Sequence, residues 1–175
     1  MRIRAIRTTA LIAVVSIIAT VAVEQALAAI DSSQSTTVTA NMAARRITAV
    51  REDIASTTTS TTFVTLATAS ITIPSGQSGL ITAQFTGESL CNGSGGWCSV
   101  RLLIDGTEMV PQSNTDFAFD SPGTTNDWES HTVERTWSGA AAGVHTISLQ
   151  WAVISGATSF RVDDWVLDVE FWRQS

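Results

Sequence analysis

The chain has 175 residues, with ten arginines, no lysine and sixteen acidic residues, for a formal net charge of −6. An acidic surface repels phosphate backbones and anionic lipid, which argues against nucleic acid or a membrane surface as partner. Six tryptophans with no tyrosine and only two cysteines complete an unusual composition.

Arg2, Arg4 and Arg7 precede an apolar run from Ala10 to Val23, and Ala26-Leu27-Ala28 follows. This pattern predicts an export signal over residues 1–28, cleaved after an A-x-A site. The run is shorter than the roughly 20 residues a membrane span needs, so cleavage is expected rather than a retained anchor. The predicted mature chain is secreted, long enough for one domain with its own core, and carries seven arginines against fifteen acidic residues. Solvation is the simplest use of that charge.

From residue 29 to 61 serine and threonine dominate, as in Ser32 to Thr37 and Ser56 to Thr62. Such polar runs read as a linker or a frayed first strand. Ala43, Ile47, Val50 and Ile54 fall at helical spacing, yet Ile47 to Val50 would equally serve as a short strand.

The domain proper is expected over residues 62–175, and its pattern is β. Phe63 to Leu66 and Ala69 to Ile73 are rich in β-branched residues, and Pro74 to Gly79 supplies a turn. Leu80 to Glu88 forms a longer strand. Val100 to Ile104 closes on Asp105-Gly106, a hairpin signal, with Thr107 to Val110 returning. In His145 to Val153, Ile147, Leu149, Trp151 and Val153 share one face, with Thr146, Ser148 and Gln150 on the other. Trp165, Leu167, Val169 and Phe171 alternate in the same way, whereas Phe160 and Val162 sit in the opposite phase, which predicts a bulge or tight turn at Asp163-Asp164. Eight to ten short strands with regular turns define an all-β fold, an antiparallel two-sheet sandwich of jelly-roll type.

The two cysteines close the glycine-rich segment Cys91-Asn92-Gly93-Ser94-Gly95-Gly96-Trp97-Cys98. In an exported chain they are expected to form a disulfide across a hairpin. Trp97 within that loop reads either as a stacking platform or as a lid on the disulfide. Asn92-Gly93-Ser94 also matches a glycosylation sequon. Trp151 and Trp165 are in phase with core positions, while Trp128, Trp137 and Trp172 have polar neighbours and are candidates for the surface.

Asp116, Asp120 and Asp127 fall in an irregular stretch, and Asp163 and Asp164 at the phase slip. Solvated turn aspartates are the plainer reading, and a structural calcium at Asp163 or Asp164 is the alternative, since calcium takes oxygen ligands. No cofactor motif is present. His131 shares a strand face with Glu129, Val133 and Arg135, and His145 opens a strand. A structural hydrogen-bonding role is expected for both. No nucleophile motif accompanies them, and no spacing pairs Glu88 with Glu129 as glycosidase carboxylates. The chain is therefore expected not to be an enzyme.

The segments Cys91…Trp97-Cys98-Ser99-Val100-Arg101, Asp105-Gly106, Phe117-Ala118-Phe119-Asp120, Trp128-Glu129-Ser130-His131, Gly143-Val144-His145-Thr146 and Asp163-Asp164-Trp165 resemble a group of secreted actinobacterial hypothetical proteins of unassigned function, from about Thr62 to the C-terminus. More distantly, Gly143 to Thr146 followed by Phe160 to Leu167 is similar to the closing strands of jelly-roll carbohydrate-binding modules, and also of tumour-necrosis-factor-like and complement-type jelly rolls.

Two functions fit. The first is a secreted, non-catalytic structural or interaction module with an extracellular protein partner. The second is a carbohydrate-binding module that holds polysaccharide through exposed tryptophans, with Trp97, Trp128 and Trp172 as candidates. A glycan binder needs an exposed aromatic beside polar groups, whereas an assembly protein needs a contiguous apolar patch.

Overall fold

The structure is a computed structural model that describes residues 34–39, 45–123 and 127–174. The expected signal segment, residues 1–28, lies outside the described residues. Ten strands occur among the described residues, and no helix. In chain order they are β1 (Gln34–Thr39), β2 (Arg45–Glu52), β3 (Ser56–Thr58), β4 (Val64–Ile73), β5 (Gly79–Gly93), β6 (Trp97–Ile104), β7 (Thr107–Glu108), β8 (Glu129–Ala140), β9 (Gly143–Ile154) and β10 (Ala157–Arg173).

One sheet runs β1-β2-β10-β5-β8, with β3 also paired to β10, and the other runs β4-β9-β6-β7. All pairings between these strands are antiparallel. Apart from the β6–β7 hairpin, each step along the chain from β4 to β10 crosses from one sheet to the other. The order β2-β10-β5-β8 facing β4-β9-β6-β7 is that of a jelly roll, the eight-strand double sheet with two Greek keys.

Alternation explains the core. Ile81, Ala83 and Phe85 of β5, Leu167, Val169 and Phe171 of β10, and Ile147, Leu149 and Trp151 of β9 all point between the sheets. Phe160 is fully buried between Trp151 and Phe119, with ring centroids 5.4 and 6.1 Å away. The phase slip falls where the side-chain pattern placed it. The β10–β5 register shifts between Asp163 and Val166, and Asp164 takes a positive φ of 43°. The bulge lets Phe160 and Val162 on one side, and Trp165 and Leu167 on the other, all face the core.

Two spacings were open at Ile47 to Val50, and the chain adopts the strand. Thr48 and Ala49 are buried in β2, and the Thr48 hydroxyl donates to the Ser70 carbonyl of the opposite sheet at 3.1 Å. The two segments expected at Phe63 to Leu66 and Ala69 to Ile73 are one strand, β4, with a register shift between Thr65 and Ala67.

The Cys91–Cys98 disulfide is present, with Cα atoms 5.7 Å apart. Its setting differs from the expected hairpin, because β5 and β6 belong to different sheets. The bridge ties the two sheets together at one end of the sandwich. Gly96 makes that corner feasible. Its φ is +74°, and a Cβ there would sit 2.1 Å from the Ile154 carbonyl oxygen.

Trp137 is the tryptophan whose surroundings mislead. It is half-buried and packs against the core, because it shares the inward phase of β8 with buried Val133 and Arg135 and pairs with Ile81.

Candidate functional site

The outward face of the larger sheet is built by register. Two residues apart along each strand, the rows are Glu170–Thr82–Thr136, then Asp168–Gln84–Glu134, then Val166–Thr86–Thr132, across β10, β5 and β8. Each row alternates with a buried one, so every named side chain in it faces away from the core. Thr82, Gln84, Glu134, Asp168 and Glu170 line a polar groove of about 120 Å³. Thr86 and Thr132 hydroxyls meet at 2.9 Å in the next row.

Burial in the groove pushes the Asp168 carboxyl above its ordinary range. Arg51, on the neighbouring β2, opposes that rise and Glu170 adds to it. A partly buried carboxyl in a concavity, its titration shifted by burial and neighbouring charge, is a candidate for contact with a ligand. Carboxylates accept hydrogen bonds, and the Gln84 amide both donates and accepts.

Tryptophans stand at both ends of this face. Trp172 follows Glu170 by two residues on β10 and is 42% exposed. Trp128 is 38% exposed and lies over the Arg161 guanidinium, 5.0 Å from carbon to ring centroid. Arg161 sits between buried Phe160 and Val162, so its side chain, and Trp128 above it, belong to the outward face. Trp97, by contrast, is half-buried, and its indole nitrogen is enclosed without a hydrogen-bond partner. Of the three candidate tryptophans, the fold thus puts two on one face and turns the third toward the protein.

The remaining candidates separate. The Asp163 carboxylate accepts the Asp164 backbone N–H at 3.0 Å within the bulge, and Asp163 pairs across the sheet with Glu88. Glu88 and Glu129 lie on opposite faces, since Glu129 pairs with Ser89, the inward neighbour of Glu88. His145 is held by Asp105 and by the Ala141 carbonyl. Asn92 is half-buried, and its side-chain amide donates to Ser159 at 3.0 Å.

A second concavity of about 320 Å³ opens between β2 and the bulged part of β4, lined by Val50, Glu52, Leu66 and the edge of Trp165 among others. Trp165 is 5% exposed, so it offers no stacking surface of the kind Trp172 does.

The groove residues were visible in sequence only as the polar half of an alternating pattern. Nothing in the spacing shows that β8, β5 and β10 are neighbours.

The chain is thus a jelly-roll sandwich with a polar outer face flanked by exposed indoles. No protein-family model matches it, and no curated protein does. Among solved structures it is similar to the sugar-binding EclA C-terminal domain, at 14% identity and TM-score 0.38 over 66% of this chain and 78% of that one. It is also similar to a CBM4 structure, at 17% and 0.33 over 83% and 81%. A third is the CBM22-1 xylan-binding domain from Paenibacillus barcinonensis Xyn10C, at 7% and 0.30 over 83% and 85%. At these identities and scores the likenesses carry no inference about a ligand.

Proposed function

We propose that the protein is a secreted, non-catalytic carbohydrate-binding module whose site is the outward face of β8, β5 and β10. One observation carries the reading: Trp172 is exposed on the same face as, and next along the strand from, the Glu170–Asp168–Glu134–Gln84 groove. An indole stacks on the apolar face of a pyranose while carboxylates and amides take its hydroxyls, and this face offers both at adjacent positions. The groove's three carboxylates favour neutral or amine-bearing glycans over uronic acids, which they would repel.

The alternative, a module that assembles through an apolar surface, has less support. The large exposed apolar residues Ile54, Val64, Val110 and Val144 come from separate strands and loops rather than from one strand face. Catalysis is also disfavoured. The Ser89 hydroxyl donates to Asp120 at 2.7 Å and is fully buried, so it is not an activated nucleophile.

The test is retention of the purified protein on cellulose, xylan and chitin, compared with pectin. Saturable binding to a neutral polysaccharide or to chitin that falls at least tenfold in Trp172→Ala or Gln84→Ala is expected, a loss of about 1.4 kcal/mol or more. No retention on any matrix, or release of reducing ends from the bound glycan, would overturn the reading.

A further inference from the structure

Near the disulfide a second group of side chains converges. Asp120, Glu129 and His131 each offer one ligand atom, and all three atoms lie within 4.8 Å of one another. His131 Nε2 is 3.3 Å from Glu129 Oε2 and 3.9 Å from Asp120 Oδ1. Yet that nitrogen is enclosed and makes no hydrogen bond, because the Asp120 oxygen is too far and the Glu129 oxygen, though near enough, is approached too obliquely for an N–H donor. An imidazole nitrogen shut away from water between two carboxylate oxygens, bonded to neither, lacks something.

The surroundings fix all three ligands. Asp120 is 7% exposed, and its carboxylate accepts the Ser89 hydroxyl at 2.7 Å and the Ser121 N–H at 2.6 Å. Its backbone is bridged to Cys98 in both directions, at 2.8 and 3.1 Å, so the disulfide holds the position of this carboxylate. Phe119 packs on the His131 ring at 5.4 Å between centroids. Glu129 pairs with Ser89 across the β5–β8 ladder, and its side chain is 65% exposed, leaving a way in from solvent.

We propose that Asp120, Glu129 and His131 bind a zinc-class divalent cation, with water completing the coordination. Four ligands held tetrahedrally at about 2.0 to 2.1 Å from zinc stand about 3.3 Å from one another; His131 Nε2 and Glu129 Oε2 already stand 3.3 Å apart, and Asp120 Oδ1 lies 3.9 Å from the imidazole. The imidazole decides the class of metal, because calcium and magnesium take oxygen ligands while nitrogen suits zinc and its neighbours. The cation bridges a strand of the larger sheet to the loop carrying Asp120, beside the inter-sheet disulfide. Its role is structural, and it is separate from the outer-face groove.

The test is calorimetric titration of the purified, chelator-stripped protein with zinc chloride, and in parallel with calcium and magnesium chlorides, together with thermal melts. One equivalent of zinc is expected, with a melting temperature about 8 °C higher at a hundredfold excess over Kd. His131→Ala should abolish binding, and Glu129→Gln, at an exposed side chain, should weaken it at least tenfold while leaving the metal-free melting temperature unchanged. X-ray absorption should show one imidazole among oxygen ligands. No zinc binding, zinc binding undiminished in Glu129→Gln, or equal affinity for calcium would overturn the proposal.

Discussion

His145 is bound through both ring nitrogens, Nδ1 at 2.7 Å from Asp105 Oδ2 and Nε2 at 2.8 Å from the Ala141 carbonyl oxygen. Both partners are acceptors, so both nitrogens must donate, and the ring is held as the imidazolium. The contact ties the β6–β7 turn to the β8–β9 turn. Burial alone would lower the histidine's pKa, but the bonds to Ala141 and Asp105 outweigh it and raise the value above the ordinary 6.5. Burial would likewise raise Asp105, but the Thr146 N–H and His145 together hold it below 3.8.

The pH dependence follows from these directions. The histidine's contribution is complete below 6.5 and is lost as pH rises through its raised value, while the aspartate's is complete above 3.8 and is lost as pH falls through its lowered value. The pair therefore stabilises most between those limits. Melting temperatures recorded from pH 3 to 9 should show a plateau there that is lowered in Asp105→Asn and His145→Gln. Equal losses in the variants at every pH would contradict the linkage.

Asp168 behaves in the opposite sense. Its folded-state pKa lies above 3.8, so in the native protein ionising it costs stability as pH rises through the raised value, and the cost persists at neutrality. Asp168→Asn should raise the melting temperature at pH 7 while weakening glycan retention. A groove carboxylate that contacts glycan gives that pair of results, whereas one with no binding role would give the rise in melting temperature without the loss of retention.

Removing the disulfide tests the inter-sheet tie. The eight-residue loop from Cys91 to Cys98 corresponds to about 2.5 kcal/mol in the chain-entropy model, so a Cys91→Ala/Cys98→Ala double variant should lose roughly that much in urea unfolding. Gly96→Ala should also destabilise, because its Cβ would collide with the Ile154 carbonyl in a backbone conformation that disfavours alanine.

Core and site variants should separate cleanly. Phe160→Ala opens a cavity among Trp151, Phe119 and the sheets and should cost about 3 to 5 kcal/mol. Trp172→Ala and Gln84→Ala, on the outward face, should change stability by under about 1 kcal/mol. Denaturant midpoints measured side by side check the contrast.

The sequence reveals which residues face inward far better than which strands are neighbours. Period-two alternation in β9 and β10 identifies Ile147, Leu149, Trp151, Leu167, Val169 and Phe171 as core, and the change of phase between Val162 and Trp165 marks the bulge, because both signals are local. Trp137 escapes the same logic because the inward face of β8 carries a buried arginine, Arg135, between Val133 and Trp137, so the alternation reads as polar there. The groove and the His131 cluster are less visible still. Asp168 and Gln84 meet only because β10 lies beside β5, and Asp120 reaches His131 only because the Cys98 backbone holds it there. Those are consequences of topology, which pairs residues far apart in the chain without any spacing to announce them.

Backbone NMR shift mapping of the protein titrated with cello-, xylo- and chito-hexaose locates the glycan site directly. Shifts should saturate with one of these and cluster on Thr82, Gln84, Glu134, Asp168, Glu170 and Trp172. Shifts confined to the crevice beside Trp165 and Leu66, or no shifts with any of the three, would contradict the proposed site.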